Sequence, residues 1–325
     1  MKKNNIIIDK TKLFPKNSNE SKPGIISNKN PLNDLSGKEW IYRTNSIESF
    51  ESTEEERKLN QFLVELIESK FSTNGEEGFA HNIRKVHPSP KPPQLMKLLI
   101  EFFSKKNEIV FDPFMGVGGA LLACSLSERK GIGLDLSKEY IEIYKKASKA
   151  LNLNEQISIV GNSKDIKNIN ELRNIEFDLI LTDPPYGNMM ARKKTGEAAK
   201  KKKDISPTPF TDSEEDIGNL PLAQFLNELK IIIEQSFYKL KNKKYVIVFT
   251  KDFQPKPDFH GLLHYEIVKT LTEIEGLYYK GLKIWYDKTI NLYPYGYPYA
   301  YVGNQLHQYI LVFRKEIQSK SKRKK

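Results

Sequence analysis

Between residues 108 and 249, short continuous apolar runs alternate with segments of helical period. Glu108–Phe111, Gly131–Leu134, Ile157–Val160, Phe177–Thr182 and Tyr245–Phe249 read as strands, and Gly118–Arg129, Lys138–Leu151 and Leu222–Leu240 as helices. Val, Ile and Leu runs without polar alternation belong to strands covered on both faces, and helices between them are the crossovers of a parallel sheet. Near the C-terminus, Gly281–Tyr286 and Gln308–Phe313 read as an antiparallel pair. The expectation is an α/β fold: a mostly parallel seven-stranded sheet with a closing antiparallel hairpin. No internal repeat is visible.

Ahead of the alternation, residues 1–37 are rich in Lys, Asn, Ser and Pro without periodicity and read as a disordered basic arm. Residues 38–80 read as a helical N-terminal extension, with Leu59, Phe62, Leu63, Leu66 and Ile67 at helical spacing over Thr53–Phe71. The Pro-rich stretch His87–Pro93 cannot be regular helix, but its second half suits the first turn of one, Gln94–Ser104. A catalytic domain is placed over 81–315 and a basic tail over 316–325.

The single cysteine, Cys124, excludes an internal disulfide, a zinc cluster and a CxxC pair, and is assigned to packing. No apolar run is long enough for a bilayer, and MKKNNIIIDKTK is no signal peptide. A soluble protein of the cytoplasm, with no membrane partner, is expected. The formal net charge of +11 is unevenly placed: residues 1–30 carry +5, residues 192–203 (RKKTGEAAKKKK) +6 and residues 314–325 +6, on a body of −6. Such runs are often arms for a polyanion.

In doubly wound sheets, ligands bind beyond the carboxyl ends of the strands. The first strand runs into Asp112-Pro-Phe-Met-Gly-Val-Gly-Gly, a glycine turn without the residues of a phosphate-binding P-loop. The second ends in Asp135, placed to accept both hydroxyls of a ribose, although a helix N-cap is the commoner role for such a residue. Together they suit a nucleoside-containing cofactor, NAD included. The fourth ends in Asp183-Pro184-Pro185-Tyr186. An exocyclic amine of a base is a poor nucleophile, because its lone pair is delocalised into the ring. A carboxylate at 183 and the Pro184 carbonyl can each accept one amine hydrogen and free that lone pair, and Tyr186 offers a face to an extruded base. No metal is needed for this chemistry.

In order, HPSPKPPQLMKLLIEFF, DPFMGVGGALLAC, GIGLDLSKEY, IVGNSKDI and LTDPPYGN resemble the amino-methylating DNA methyltransferases, over about residues 80–315. The resemblance implies a Rossmann-like methyltransferase fold, S-adenosylmethionine as cofactor, and methylation of adenine N6 or cytosine N4 in DNA. Asp112, Phe114, Gly116 and Gly118 would surround the methionine part of the cofactor, and Asp135 its ribose. Asn162, Ser163 or Asp165 would contact its adenine. Asp183, Pro184, Pro185 and Tyr186 would hold the target amine and base, with Asp183 favouring adenine over cytosine. The loop after the catalytic motif, with Arg192, Lys193, Lys194, Lys200, Lys201, Lys202 and Lys203, is expected to grip phosphates. DNA is the implied partner, and a restriction endonuclease is a candidate second one.

No long segment resembles a separate target-recognition domain, so specificity falls to loops or the N-terminal region. Two other functions share these motifs: an RNA base amino-methyltransferase and an inactive DNA-binding relative. Tyr293, Tyr295, Tyr297, Tyr299 and Tyr301 alternate as in an extended ribbon, for packing or for base stacking. His87 is given no catalytic role.

Overall fold

The computed structural model describes residues 30–35, 47–49, 78–187, 210–255, 260–286, 303, 305 and 307–317. The strands are β1 (Ile47–Ser49), β2 (Ile109–Asp112), β3 (Lys130–Asp135), β4 (Ile157–Val160), β5 (Phe177–Thr182), β6 (Leu240–Thr250), β7 (Leu277–Tyr286) and β8 (His307–Lys315). The α-helices are α1 (His81–Arg84), α2 (Pro93–Phe103), α3 (Gly119–Leu126), α4 (Lys138–Ala150), α5 (Leu222–Lys239) and α6 (Leu263–Leu271). All strands join one sheet in the order β1-β7-β8-β6-β5-β2-β3-β4. Strands β2 to β6 run parallel, and β8 is antiparallel to both β6 and β7. The seven expected strands form the Rossmann-like sheet with its antiparallel hairpin. The three-residue β1 lengthens it by an eighth, parallel to β7.

Successive residues of the central strands go to opposite faces, which is why their apolar runs are unbroken. Leu179, Leu181, Ile247 and Phe249 join α2, α3 and α4 in one core. Ile180, Val246 and Val248 join α5 and α6 in the other. Helix α2 starts at Pro93 with Pro92 as its N-cap, so the Pro-rich stretch ends where a helix needs no N–H donors. Its buried face is Leu95, Met96, Leu99, Ile100, Phe102 and Phe103.

The structure differs from expectation at three places. Residues 30–35, expected within a disordered arm, are packed: Leu32 is buried, and the buried Asn33 amide donates to the Phe102 carbonyl. Within 38–80, expected as helix, Ile47–Ser49 form a strand. Strand β6 begins directly after α5, five residues before the apolar run, across a register shift against β5. The helix expected over Thr53–Phe71, the tyrosine ribbon at 293–301 and the basic tail from residue 318 onward lie outside the described residues. No helix among the described residues is long and apolar enough to cross a membrane.

Candidate active site

Strand β2 has β3 on one side and β5 on the other, so the crossovers leave in opposite directions and open a crevice at its carboxyl end. Asp112, Asp135 and Asp183 stand at the ends of these three strands and line one cavity of about 310 Å³. That size lies at the lower end of the range for small-molecule sites.

The glycine turn after β2 is folded back on β3. The Met115 amide donates to the Leu134 carbonyl (3.0 Å), and the Gly116 amide to Asp135 Oδ2 (2.8 Å). Gly116 (φ 48°) and Gly118 (φ 75°) adopt the left-handed region, and a Cβ at 118 would lie 2.1 Å from the Tyr144 ring. Asp135 Oδ1 accepts from the Ser137 amide (2.8 Å). Burial raises the Asp135 carboxyl to about 6, against these two hydrogen bonds. Asp112 Oδ1 accepts from the Thr182 hydroxyl (2.8 Å) and the Phe114 amide (3.0 Å). Burial, helped by the charges of Asp183 and Asp135, pushes its carboxyl up to about 7.

Phe114, Gly116, Asn162 and Ser163 line the same cavity. The Ser163 hydroxyl donates to the Pro113 carbonyl, tying the segment after β4 to the glycine turn. Asn162 caps its own turn through Lys164 N (2.9 Å). Asp165 is exposed and does not line the cavity; Gly118 lies behind the lining, against Tyr144.

At the other end, Asp183, Pro184, Pro185 and Tyr186 line the cavity immediately after β5. Tyr186 is half-buried, and its hydroxyl donates to Asp183 Oδ1 (2.8 Å). Burial and the adjacent carboxylate push its phenol well above the ordinary value, so it is a neutral donor. The second Asp183 oxygen takes a partner that the motif does not contain. Lys91 Nζ lies 2.5 Å from Oδ2, with the two side chains 5% and 17% exposed. Lys91 sits between two prolines, and its carbonyl accepts from Arg84 Nη2 (2.6 Å). The buried Arg84 also donates through Nε to the Val117 carbonyl (3.2 Å). One guanidinium thus joins the Pro-rich segment to the glycine turn. Gly119 permits that contact, since a Cβ there would lie 2.8 Å from the Lys91 carbonyl.

Aromatic side chains make part of the wall. His87 stacks on Phe210 at 5.1 Å and meets the Tyr140 ring edge-on at 4.8 Å. The Tyr140 hydroxyl donates to the Phe210 carbonyl (2.7 Å). Burial, with Lys91 and Arg84 nearby, lowers His87 to about 4 and keeps it neutral. Neither Lys91, within the Pro-rich segment, nor Arg84, ahead of it, belongs to a motif that names a role. The signal was a cation locked between prolines. Arg192, Lys193, Lys194, Lys200, Lys201, Lys202 and Lys203 lie outside the described residues. Cys124 is fully buried, and burial raises its thiol further.

A family described as DNA methylase, of the N6/N4 methyltransferase class, matches residues 3–146, and one described as conserved hypothetical protein 95 matches residues 98–241. The Type II methyltransferase M.HpaI of Haemophilus parainfluenzae is 42% identical over 67 residues, 21% of this chain and 21% of that protein. The tRNA (guanine(10)-N2)-dimethyltransferase of Methanocaldococcus jannaschii is 29% identical over 142 residues, 41% of this chain and 39% of that protein. The crystal structure of TrmN from Thermus thermophilus superposes with a TM-score of 0.43 at 13% identity, covering 76% of this chain and 52% of that one. The matched segments thus span about a fifth to two fifths of these two curated relatives.

Proposed function

We propose, for a chain that belongs to the amino-methyltransferase family, that it methylates the exocyclic amine of a base drawn out of DNA, with adenine N6 the favoured target. The observation that carries this reading is the convergence of Asp112, Asp135 and Asp183 on one cavity, from the ends of three adjacent strands.

The cavity suits S-adenosylmethionine. Both hydrogen bonds to Asp112 fall on Oδ1, and a buried carboxyl raised towards 7 gains from a cation such as the cofactor's ammonium. Asp135 is fixed by two backbone amides and keeps lone pairs for ribose hydroxyls. When bound, the cofactor supplies an electrophilic methyl group on a sulfonium. This chain's residues act on the nucleophile. Asp183 accepts one amine hydrogen and the Pro184 carbonyl another, so the nitrogen lone pair leaves conjugation with the ring. As the nitrogen gains positive charge, the Asp183 carboxylate stabilises it, and preorganised groups of this kind are among the larger contributions to rate. Tyr186 holds the carboxylate through Oδ1. The basic loop 192–203 is assigned to the flanking phosphates.

Labelled methyl transfer to duplex DNA, single-stranded DNA and tRNA, followed by nucleoside analysis, tests the reading. Label in N6-methyladenine is expected, and label confined to RNA overturns the choice of DNA. Asp183→Ala should abolish transfer with cofactor affinity largely kept; retained activity refutes the mechanism. A second reading, guanine N2 in tRNA, is favoured by the longer stretch over which the tRNA (guanine(10)-N2) relative matches. In that case the same carboxylate and carbonyl would hold the guanine amine.

A further inference from the structure

Asp183 is already engaged: Lys91 Nζ occupies Oδ2 at 2.5 Å, and the Tyr186 hydroxyl occupies Oδ1 at 2.8 Å. A base that presents its amine to Asp183 must therefore share or displace one of these donors. The backbone of Lys91 has little freedom to withdraw. Prolines flank it on both sides, its carbonyl is held by Arg84, and helix α2 begins two residues later. Its ammonium lies 5.5 Å from the centre of the Phe249 ring and 6.0 Å from that of Trp285, so the side chain passes beside aromatic faces. With the target amine on Asp183, the ammonium stays next to it.

We propose that Lys91 is a second base-reading group, which donates a hydrogen bond to the ring nitrogen beside the target amine. The inference rests on the reading of the site as an amine methyltransferase. Asp183 Oδ2 and Lys91 Nζ present an acceptor next to a donor. An amine beside an unprotonated ring nitrogen presents the complementary donor and acceptor, at a similar separation. Adenine, cytosine and guanine each carry such an edge. Uracil and thymine present a keto oxygen beside an N–H instead, which places acceptor against acceptor at Asp183. A charged donor on the ring nitrogen also withdraws electron density from the base. The contribution of Lys91 is therefore to binding and orientation, and its loss should raise KM more than it lowers kcat.

The test uses the full chain in two stages. Sequencing of modified bases in DNA from an expression host first identifies the methylated base and its context. If no base amine is labelled in DNA or RNA, the reading of the site fails, and the inference with it. With the base known, oligonucleotides are made in which a ring nitrogen flanking the amine is replaced by C–H; for adenine these are the 1-deaza and 7-deaza analogues. For the unsubstituted protein, one of the two should lower kcat/KM by about tenfold or more, as loss of a bond from a charged donor implies. Lys91→Met should show little further loss with that analogue, and Lys91→Gln, which keeps a neutral donor, should recover part of the discrimination. An unsubstituted protein indifferent to both analogues overturns the inference, whatever the variants do. Penalties of Lys91→Met and the analogue that multiply in full also overturn it, and leave Lys91 acting through Asp183 alone.

Discussion

Asp112 shows how one buried side chain links the fold to the ligand. Its carboxyl ends β2, and both of its hydrogen bonds fall on Oδ1. Burial raises it from 3.8 to about 7. Between those values the folded protein holds a proton that the unfolded chain releases. Stability from this group is thus fully present below pH 4 and is lost as pH rises towards 7, by at most about 1.4 kcal/mol per pH unit. Asp112→Asn keeps an oxygen for Thr182 and Phe114 without a charge. Without cofactor, this variant should unfold at a temperature that changes less between pH 5 and 8 than that of the unsubstituted protein. Thermal unfolding over that range decides it, and an unchanged pH dependence means that Asp112 does not titrate there. The same variant should bind S-adenosylmethionine more weakly, because the neutral amide no longer answers an ammonium.

Elements meet at the site through Arg84, the last residue of α1. Its guanidinium bonds the carbonyls of Lys91 and Val117, and burial lowers it to about 10, so it remains charged. Arg84→Met keeps much of the side-chain volume and leaves two carbonyls without that donor. The expected cost is about 2–5 kcal/mol, in line with loss of a buried, hydrogen-bonded charge. Cofactor affinity should fall as well, since the glycine turn loses its brace. Chemical denaturation and calorimetric titration read the two effects, and a variant unchanged in both removes Arg84 from that role. The arginine also marks the limit of what could be read from sequence. Strands β2, β3 and β5 were legible because apolar runs buried on both faces leave no polar alternation; the edge strand β4, with Ile157 and Val160 exposed, was legible only from its β-branched residues between two helical segments. Asp112, Asp135 and Asp183 were legible because parallel strands put their ends on one edge. Lys91 and Asp183 are 92 positions apart, and only the packing of α2 against the sheet brings them together. Helix α6 is a further element legible in sequence, since Leu263, Ile267 and Leu271 recur at helical spacing and are all fully buried. Strand β1 has three residues, too few for any period, and exists because β7 offers it an edge.

Across the whole molecule, charge is divided as sharply as the core. The basic segments 1–30, 192–203 and 314–325 carry +17 together, against a net charge of +11, so the remaining chain is acidic. Five carboxylates, Asp112, Asp135, Asp183, Glu215 and Asp216, also line the active-site cavity. On the proposed nucleic-acid substrate, an acidic body would repel the polyanion, and a basic segment would be needed to hold the backbone while one base enters. Segment 192–203 begins five residues after Gly187, closer in sequence to Asp183 than either terminal segment. Neutralising it should therefore weaken nucleic-acid binding in a salt-dependent way and leave cofactor affinity unchanged. Each phosphate contact contributes about 0.9 to the slope of log K against log salt on duplex DNA, or about 0.7 on a single strand. Replacing Lys200, Lys201, Lys202 and Lys203 by Ala should flatten the slope by up to about 3.6 on a duplex if all four contact phosphates. Fluorescence anisotropy of a labelled duplex across a salt series measures it. Equal replacement of Lys320, Lys322, Lys324 and Lys325 in the tail removes the same charge far from the catalytic motif in sequence. If the slope flattens equally for both, net charge alone sets the attraction. If only the 192–203 variant flattens it, and transfer falls with it, the grip belongs to that segment. An unchanged slope for the loop variant takes segment 192–203 out of the nucleic-acid interface.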